Sequence, residues 1–344
     1  MTKKKAAWQI LFLTFLVVGT VMIILQQKNT AYQHDEGFIF GTIYHITYQS
    51  NENLKEEIER ELKKVDAEFS MFNKQSSVTA FNQKNSLEMS PMFEDVYQTA
   101  GEINKETDGA FDITVAPLVN EWGFGFKNQK FPSASTVKEL LKHVGMEKLS
   151  VKKVNGHRGR NTLIKTDKAT MLDFSAIAKG YGSDRVATLL RSHDIKNFMV
   201  EIGGEVVASG VSDKRLPWKI GVTKPTDDSI STNGELQTVL NITDKAMATS
   251  GNYRNFYYRN GKKYAHTIDP KTGYPVQHSL LSATVIANRC AVADAYATSF
   301  MVMGIEKAKE VLKNHPELKA YFIYSDKEGG NAIWYTDGLI EPAK

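Results

Sequence analysis

Two oxygen-bearing side chains four positions apart are the first residues in this 344-residue chain whose types could do chemistry. Asp294 and Thr298 share one face of the stretch Cys290-Ala-Val-Ala-Asp-Ala-Tyr-Ala-Thr-Ser-Phe-Met-Val-Met-Gly304, which reads as a small-residue helix. An Asp among Ala, Val, Tyr and Met should be partly buried, and a buried carboxylate is costly unless a charge, a donor or a metal compensates it. A hard cation such as Mg2+ suits an Asp/Thr oxygen pair. The structural alternative is an Asp that hydrogen-bonds a nearby loop, with Thr298 bonded back to its own helix.

Three further segments carry polar groups in suggestive places. Asp173-Phe-Ser-Ala-Ile-Ala-Lys-Gly-Tyr-Gly182 follows a short apolar strand ending at Leu172, and predicts a helix from Ser175 to Ser192 capped by Asp173 or Ser175. A helix start offers free N–H groups to a phosphate, and Lys179 lies one turn along; a plain cap with a solvated lysine is the alternative. Gly180 and Gly182 each cost a helix about 1 kcal/mol relative to Ala, so something should approach the backbone there. His266 precedes an Asp-Pro-Lys-Thr-Gly turn. It could serve as a base toward a hydroxyl, or be a core histidine bonded to backbone. Gly109-Ala-Phe-Asp-Ile-Thr-Val-Ala-Pro117 could line a ring-shaped ligand or form a helix-end turn, and Ala248-Thr-Ser-Gly-Asn-Tyr253 offers hydroxyls and N–H groups at a Gly turn. A Walker A sequence, a Rossmann fingerprint, zinc-type Cys/His spacing and a Gly-x-Ser-x-Gly elbow are all missing, so Ser/His/Asp catalysis has no support.

The elements that must position these groups follow from periodicity. Phe38 to Tyr48 alternates as a strand, and Asn53 to Phe69 is an amphipathic helix with Leu54, Ile58, Leu62, Val65 and Phe69 on one stripe. Further helices are predicted over Ser76–Asn82, Pro91–Thr107 with Ser90 as N-cap, Ser135–Val144 and Ile305–Asn314. Strands are predicted at Leu149–Val154, Thr162–Lys165, Leu280–Ala287 and Lys319–Tyr324, and through most of 197–242 and 246–267, with Gly203-Gly204 at a tight turn. Helices and strands mix without βαβ alternation, which argues for an α+β fold.

The N-terminus stands apart. Lys3, Lys4 and Lys5 precede an apolar run from Ala6 to Leu25, near the length of a membrane-spanning helix. The lysines should stay cytoplasmic, placing everything after Gln27 outside. A cleaved signal peptide is the rival reading, but no small-x-small cleavage site follows Leu25. The expected order is thus a basic tail (1–5), an anchor (6–27), a linker (28–37) and an extracytoplasmic domain (38–344). The only cysteine is Cys290, so an intrachain disulfide and an N-terminal lipid-bearing cysteine are excluded. At 42% hydrophobic the chain has ample core. Its net charge of +4 drops to +1 without the three tail lysines, which does not suit a nucleic-acid binder.

Taken in order, Phe40-Gly-Thr-Ile-Tyr, Gly109-Ala-Phe-Asp, Asp173-Phe-Ser-Ala-Ile-Ala-Lys-Gly, Glu201-Ile-Gly-Gly-Glu, Thr249-Ser-Gly-Asn-Tyr-Arg, His266-Thr-Ile-Asp-Pro-Lys-Thr-Gly and Ala293-Asp-Ala-Tyr-Ala-Thr resemble the ApbE family of FAD:protein FMN transferases, from about Phe38 to Tyr324. The resemblance implies an ApbE-like mixed domain with a mainly antiparallel sheet. It implies an exported enzyme that cleaves FAD, transfers FMN to a Ser or Thr of an exported redox protein and releases AMP. It implies Mg2+ held by Asp294, Thr298 and the carbonyl of Ala176, and FAD contacts from Phe40, Phe72, Ala110, Phe111, Asp112, Asp173, Lys179 and Ile268. Phe40 stands where Met is usual, Phe72 where Tyr is usual, Asn252 where Asp is frequent, and Lys179 where Glu is an alternative. Phe72 can still stack on adenine, since stacking needs only a ring. His266 is the expected base. An FAD pyrophosphatase, with water in place of the protein hydroxyl, and a non-catalytic flavin carrier are the alternative functions.

Overall fold

The structure, a computed structural model, describes residues 3–125, 131–153, 159–225, 236–252, 256–259, 262–328 and 330–339. In chain order the elements are α1 (Lys3–Asn29), β1 (Tyr32–Ile39), β2 (Thr42–Gln49), α2 (Lys55–Phe69), α3 (Ser77–Gln83), β3 (Ser86–Glu88), α4 (Pro91–Glu106), α5 (Ala116–Glu121), α6 (Ala134–Leu141), β4 (Leu149–Lys152), β5 (Thr162–Lys165) and α7 (Ala178–Ser192). The second half continues with β6 (Phe198–Ile202), β7 (Glu205–Ser209), β8 (Trp218–Thr223), β9 (Leu236–Ile242), β10 (Lys245–Gly251), β11 (Phe256–Arg259), β12 (Lys262–Ala265), β13 (Leu280–Ala287), α8 (Cys290–Met303), α9 (Ile305–Asn314), β14 (Lys319–Ser325) and β15 (Asn331–Tyr335).

The fold is α+β. Its main sheet has eight strands in the order β1-β2-β6-β7-β10-β13-β14-β15. Every neighbouring pair in it is antiparallel. Neighbours in this sheet therefore follow one another in the chain, and the helices enter as insertions between consecutive strands. Both faces are covered. Ala248, Ala283, Val285 and Phe322 pack against α4, α7 and α8, while Met247, Ile286, Tyr321 and Ile323 pack against Trp218, Ile220 and Leu240 of the β8–β9 pair. Two covered faces explain why β13 is buried at nearly every position, Ser282 and Thr284 included, rather than at alternate ones.

Helix α8 lies against β10 and β13 with Ala291, Ala293, Ala295 and Ala297 fully buried. Asp184 of α7 caps its start, accepting the Cys290 and Ala291 N–H groups at 2.7 and 3.0 Å. The two helices approach so closely that a Cβ on Gly180 would sit 2.4 Å from the Cys290 carbonyl oxygen; one on Gly182 would sit 2.7 Å from the Phe40 ring of the β1–β2 turn. These contacts are the close neighbours that two glycines in a helix foretold. In an open helix Gly→Ala gains about 1 kcal/mol. Here the obstacle is main chain, and Gly180→Ala should instead destabilise by about 2 kcal/mol, measured by urea unfolding. A stability equal to or above wild type would show that α7 and α8 separate without cost.

His278 secures the other end of α8. Its Nε2–H donates to the Met301 carbonyl at 2.7 Å, and its Nδ1 accepts the Leu280 N–H at 3.3 Å. Both bonds together require the neutral ring. Burial lowers its pKa below the ordinary 6.5, against the carbonyl bonds that favour the charged form. A depressed folded pKa contributes stability above pH 6.5 that is lost as pH falls through the folded value. Wild type should therefore lose Tm faster than His278→Gln as pH drops from 7.5 to 5. Parallel curves would remove His278 from that role.

Most predicted elements appear within a few residues of their expected ends, and Ser90 accepts the Phe93 N–H as the cap of α4. Three expectations need correction. Phe38–Tyr48 is not one strand but the end of β1, a two-residue turn and β2, with Phe40 and Gly41 both at positive φ (53° and 76°), the twist that a tight hairpin requires. The strand begins at Tyr32, so most of the expected linker belongs to the sheet edge. Helix α7 starts at Ala178 rather than Ser175, because Asp173 spends its Oδ1 on the Ser175 N–H in a local turn at 2.7 Å. Val154, Tyr253 and Arg254 lie outside the described residues. Helix α1 displays its apolar side chains, with Trp8 76% exposed. Among the described residues no helix is long and apolar enough to cross a membrane.

Candidate active site

One cleft of about 460 Å³ opens at the edge of the main core, a size typical of small-molecule sites. Phe40, Phe72, Ala110, Phe111, Asp112, Asp173, Ala176, Lys179, His266, Ile268, Asp294 and Thr298 all line it. Every residue singled out in the sequence for catalysis, flavin contact or metal binding thus reaches one place, from positions spread over most of the chain.

The hairpin turn brings Phe40 to the wall, its ring against the glycine face of α7. Phe72, 71% exposed, stands at the mouth. The Ala110–Asp112 loop follows α4, where Asp108 and Gly109 both take positive φ to reverse the chain. That segment is at once a helix-end turn and a cleft-lining loop. Asp112 accepts the Thr114 N–H and hydroxyl at 2.8 and 2.5 Å. The neighbouring Asp173 loop is tied alongside by its own N–H, which donates to the Ile113 carbonyl at 2.7 Å. Burial pushes both carboxyls above the usual range. His266 sits half-buried with its ring 6.4 Å from that of Phe124. The following turn is fixed by Trp122, whose indole N–H donates to the Gly273 carbonyl at 2.8 Å, and by the Lys271–Asp108 ion pair.

Asp294 forms the deepest corner, at 2% exposure. Its Oδ2 accepts the Gly180 N–H at 3.1 Å. The start of α7 is therefore turned toward this carboxylate, rather than presented whole to a phosphate. Lys179 lies beside it, but its Nζ donates to Glu205 Oε1 at 2.7 Å and remains 4.0 Å from Asp294. Burial pushes the Asp294 carboxyl up, only partly countered by Lys179 and the Gly180 N–H. For Lys179 burial acts downward, yet the Asp294 and Glu205 carboxylates prevail and hold it charged. The asymmetry follows from geometry: the lysine faces two carboxylates, whereas Asp294 faces one ammonium at a distance. Cys290 is inert, its thiol pushed up by burial.

Thr298 does not bond back to its own helix; its hydroxyl shares a 3.0 Å hydrogen bond with Ser250 of the neighbouring β10, and Ser299 makes the backward bond to Ala295. The cleft lining thus offers the Asp294 carboxylate, the Thr298 and Ser250 hydroxyls and, from the loop before α7, Ala176. These are hard oxygen donors, and the burial of Asp294 is only partly compensated by its neighbours. They fit a small divalent cation such as Mg2+. Sequence reasoning gave Glu205 no role of its own, and named Ser250 only as one hydroxyl of the Ala248–Tyr253 turn segment. Glu205 closes the Glu201-Ile-Gly-Gly-Glu motif, but its partner lies 26 positions away.

A model of the ApbE family matches residues 40–322, which include all twelve residues and the sheet from β2 into β14. The chain belongs to the ApbE family. It is 39% identical over 318 residues to the FAD:protein FMN transferase of Haemophilus influenzae, covering 88% of this chain and 89% of that one. It is 36% identical over 305 residues to the enzyme of the same name from Escherichia coli, covering 86% and 84%. The flavin transferase ApbE from Vibrio cholerae superposes with a TM-score of 0.80 at 33% identity, over 90% of this chain and 98% of that one. An apo flavinyl transferase ApbE from Pseudomonas stutzeri gives 0.79 at 29% identity, over 90% and 95%.

Proposed function

We propose that this ApbE-family cleft cleaves FAD and transfers its FMN half to a Ser or Thr hydroxyl of an acceptor protein, releasing AMP. The observation that carries the reading is the convergence of the twelve residues on one cleft. In the reaction a bond forms between the acceptor oxygen and the FMN phosphorus, and the bond from that phosphorus to the bridging oxygen breaks. The electron pair leaves with AMP, and the hydroxyl proton moves to an imidazole nitrogen of His266. Phe72 at the mouth and Phe40 on the wall offer rings to the planar parts of the dinucleotide. Ala110 to Asp112 and Ile268 border the same space and fix its width. Asp294, Thr298 and the Ala176 carbonyl would hold Mg2+, which supplies neutralisation of the pyrophosphate and of the leaving phosphate when bound.

The test combines the protein with FAD, Mg2+ and an acceptor carrying a Ser/Thr site, followed by measurement of AMP, free FMN and acceptor mass. A mass gain equal to FMN with matching AMP is expected. AMP with free FMN alone would make the protein a pyrophosphatase, and neither product would make it a flavin carrier.

We further place the cleft outside the cell membrane, with α1 as a single-pass anchor and an exported redox protein as the acceptor. Lys3, Lys4 and Lys5 before the apolar run, and the exposure of that run in the fold, support this reading. Carbonate-resistant membrane association and protease access from outside would be its signature. Release of the chain by carbonate would overturn it.

A further inference from the structure

The cleft holds one buried charged group with no part in the scheme above. Glu205 is the first residue of β7, directly after the Gly203-Gly204 turn, and is 3% exposed. Its backbone is pinned by the Ser183 hydroxyl, which donates to the Glu205 carbonyl at 3.0 Å. Its carboxylate receives Lys179 Nζ at 2.7 Å, while Asp294 Oδ2 stands 4.0 Å from the same nitrogen. One distance is a charge-assisted hydrogen bond and the other is too long to be one. The ammonium lies between two buried carboxylates and is bound to one of them. Asp294 consequently keeps acceptor capacity beyond its single N–H partner.

We infer that Glu205 is a positioning residue that parks Lys179 on the cleft wall and so keeps Asp294 available to a divalent cation. Without the Glu205 charge, Asp294 becomes the nearest carboxylate to a buried ammonium that must pair. Lys179 then closes the gap and takes the lone pairs that a cation would use. The effect acts through Lys179, so it vanishes when the ammonium is removed. The inference rests on the reading of Asp294 as a cation ligand.

The test uses Mn2+ as the probe, titrated into the full chain in detergent without FAD, with binding read by EPR. Glu205→Gln should weaken Mn2+ binding by roughly tenfold or more. In its crystal structure Lys179 Nζ should move to hydrogen-bonding distance of Asp294. Adding Lys179→Met to Glu205→Gln should restore binding to at least the wild-type level. Wild-type affinity in Glu205→Gln, or Lys179 remaining in its present position there, overturns the inference. Loss that persists in the double variant also overturns it, by making Glu205 a direct ligand. Failure of the underlying reading looks different: wild type itself does not bind Mn2+, or Asp294→Ala binds it equally well.

Discussion

Asp294→Ala should lower Mg2+-dependent FMN transfer by about 1,000-fold, equivalent to about 4 kcal/mol of transition-state stabilisation, while the protein keeps its Tm or gains slightly. The second half of this expectation separates a functional carboxylate from a structural one. A structural carboxylate in a fully packed helix would cost several kcal/mol when deleted, because its partners would be stranded. Asp294 has few partners to strand: one N–H at 3.1 Å and an ammonium already bonded to Glu205. Burial holds its carboxyl above the usual range, a sign that its charge is under-compensated in the folded protein. Removing it relieves that cost. AMP release and thermal unfolding on the same preparation decide the matter. Retained Mg2+-dependent transfer, or an unfolded variant, would defeat the assignment.

The second large effect concerns His266. His266→Asn should reduce transfer by about 100- to 10,000-fold, the range for loss of a general base, with FAD affinity changed only a few-fold. The ring lies on the cleft lining beside Phe124, and the loop that follows it is held by Trp122 and Lys271, far from the Asp294 corner in sequence. Asparagine keeps a polar group of similar reach but cannot take the proton. A variant that binds FAD by fluorescence yet forms no flavinylated acceptor is the expected outcome. Transfer at the wild-type rate would sink the base role and leave His266 as a wall residue.

How much of this was legible in the sequence depended on whether the deciding contact is local. Helix α4 was readable because its start is set by Ser90 and Pro91, whose effect spans three residues. The β1–β2 hairpin was missed because its turn is Phe40-Gly41 rather than an Asn-Gly or Asp-Gly pair, and the cleft rather than the turn explains the aromatic. The start of α7 was misplaced because an Asp whose carboxylate accepts the N–H two residues on has the same sequence signature as a helix cap. The site residues were legible as a set only through the order of the motifs and their resemblance to the ApbE family. Gly180 was flagged by its helix cost, but that its N–H meets Asp294 across 114 positions was not readable. Glu205 was invisible as a functional group for the same reason.

The meander of the main sheet has a consequence for synthesis. The cleft takes its first wall from Phe40, in the first eighth of the chain, and its deepest corner from Asp294 and Thr298, in the last sixth. Strand β2 waits for β6, some 150 residues later, before its second edge is paired. Such long closures are slow, and a ligand stabilises only chains in which its site exists. A chain emerging from its N-terminus therefore gains no help from a cleft ligand until α8 has arrived. The same holds for any truncation before Cys290. Ligand binding thus acts as a completeness check, rewarding only chains that extend through α8.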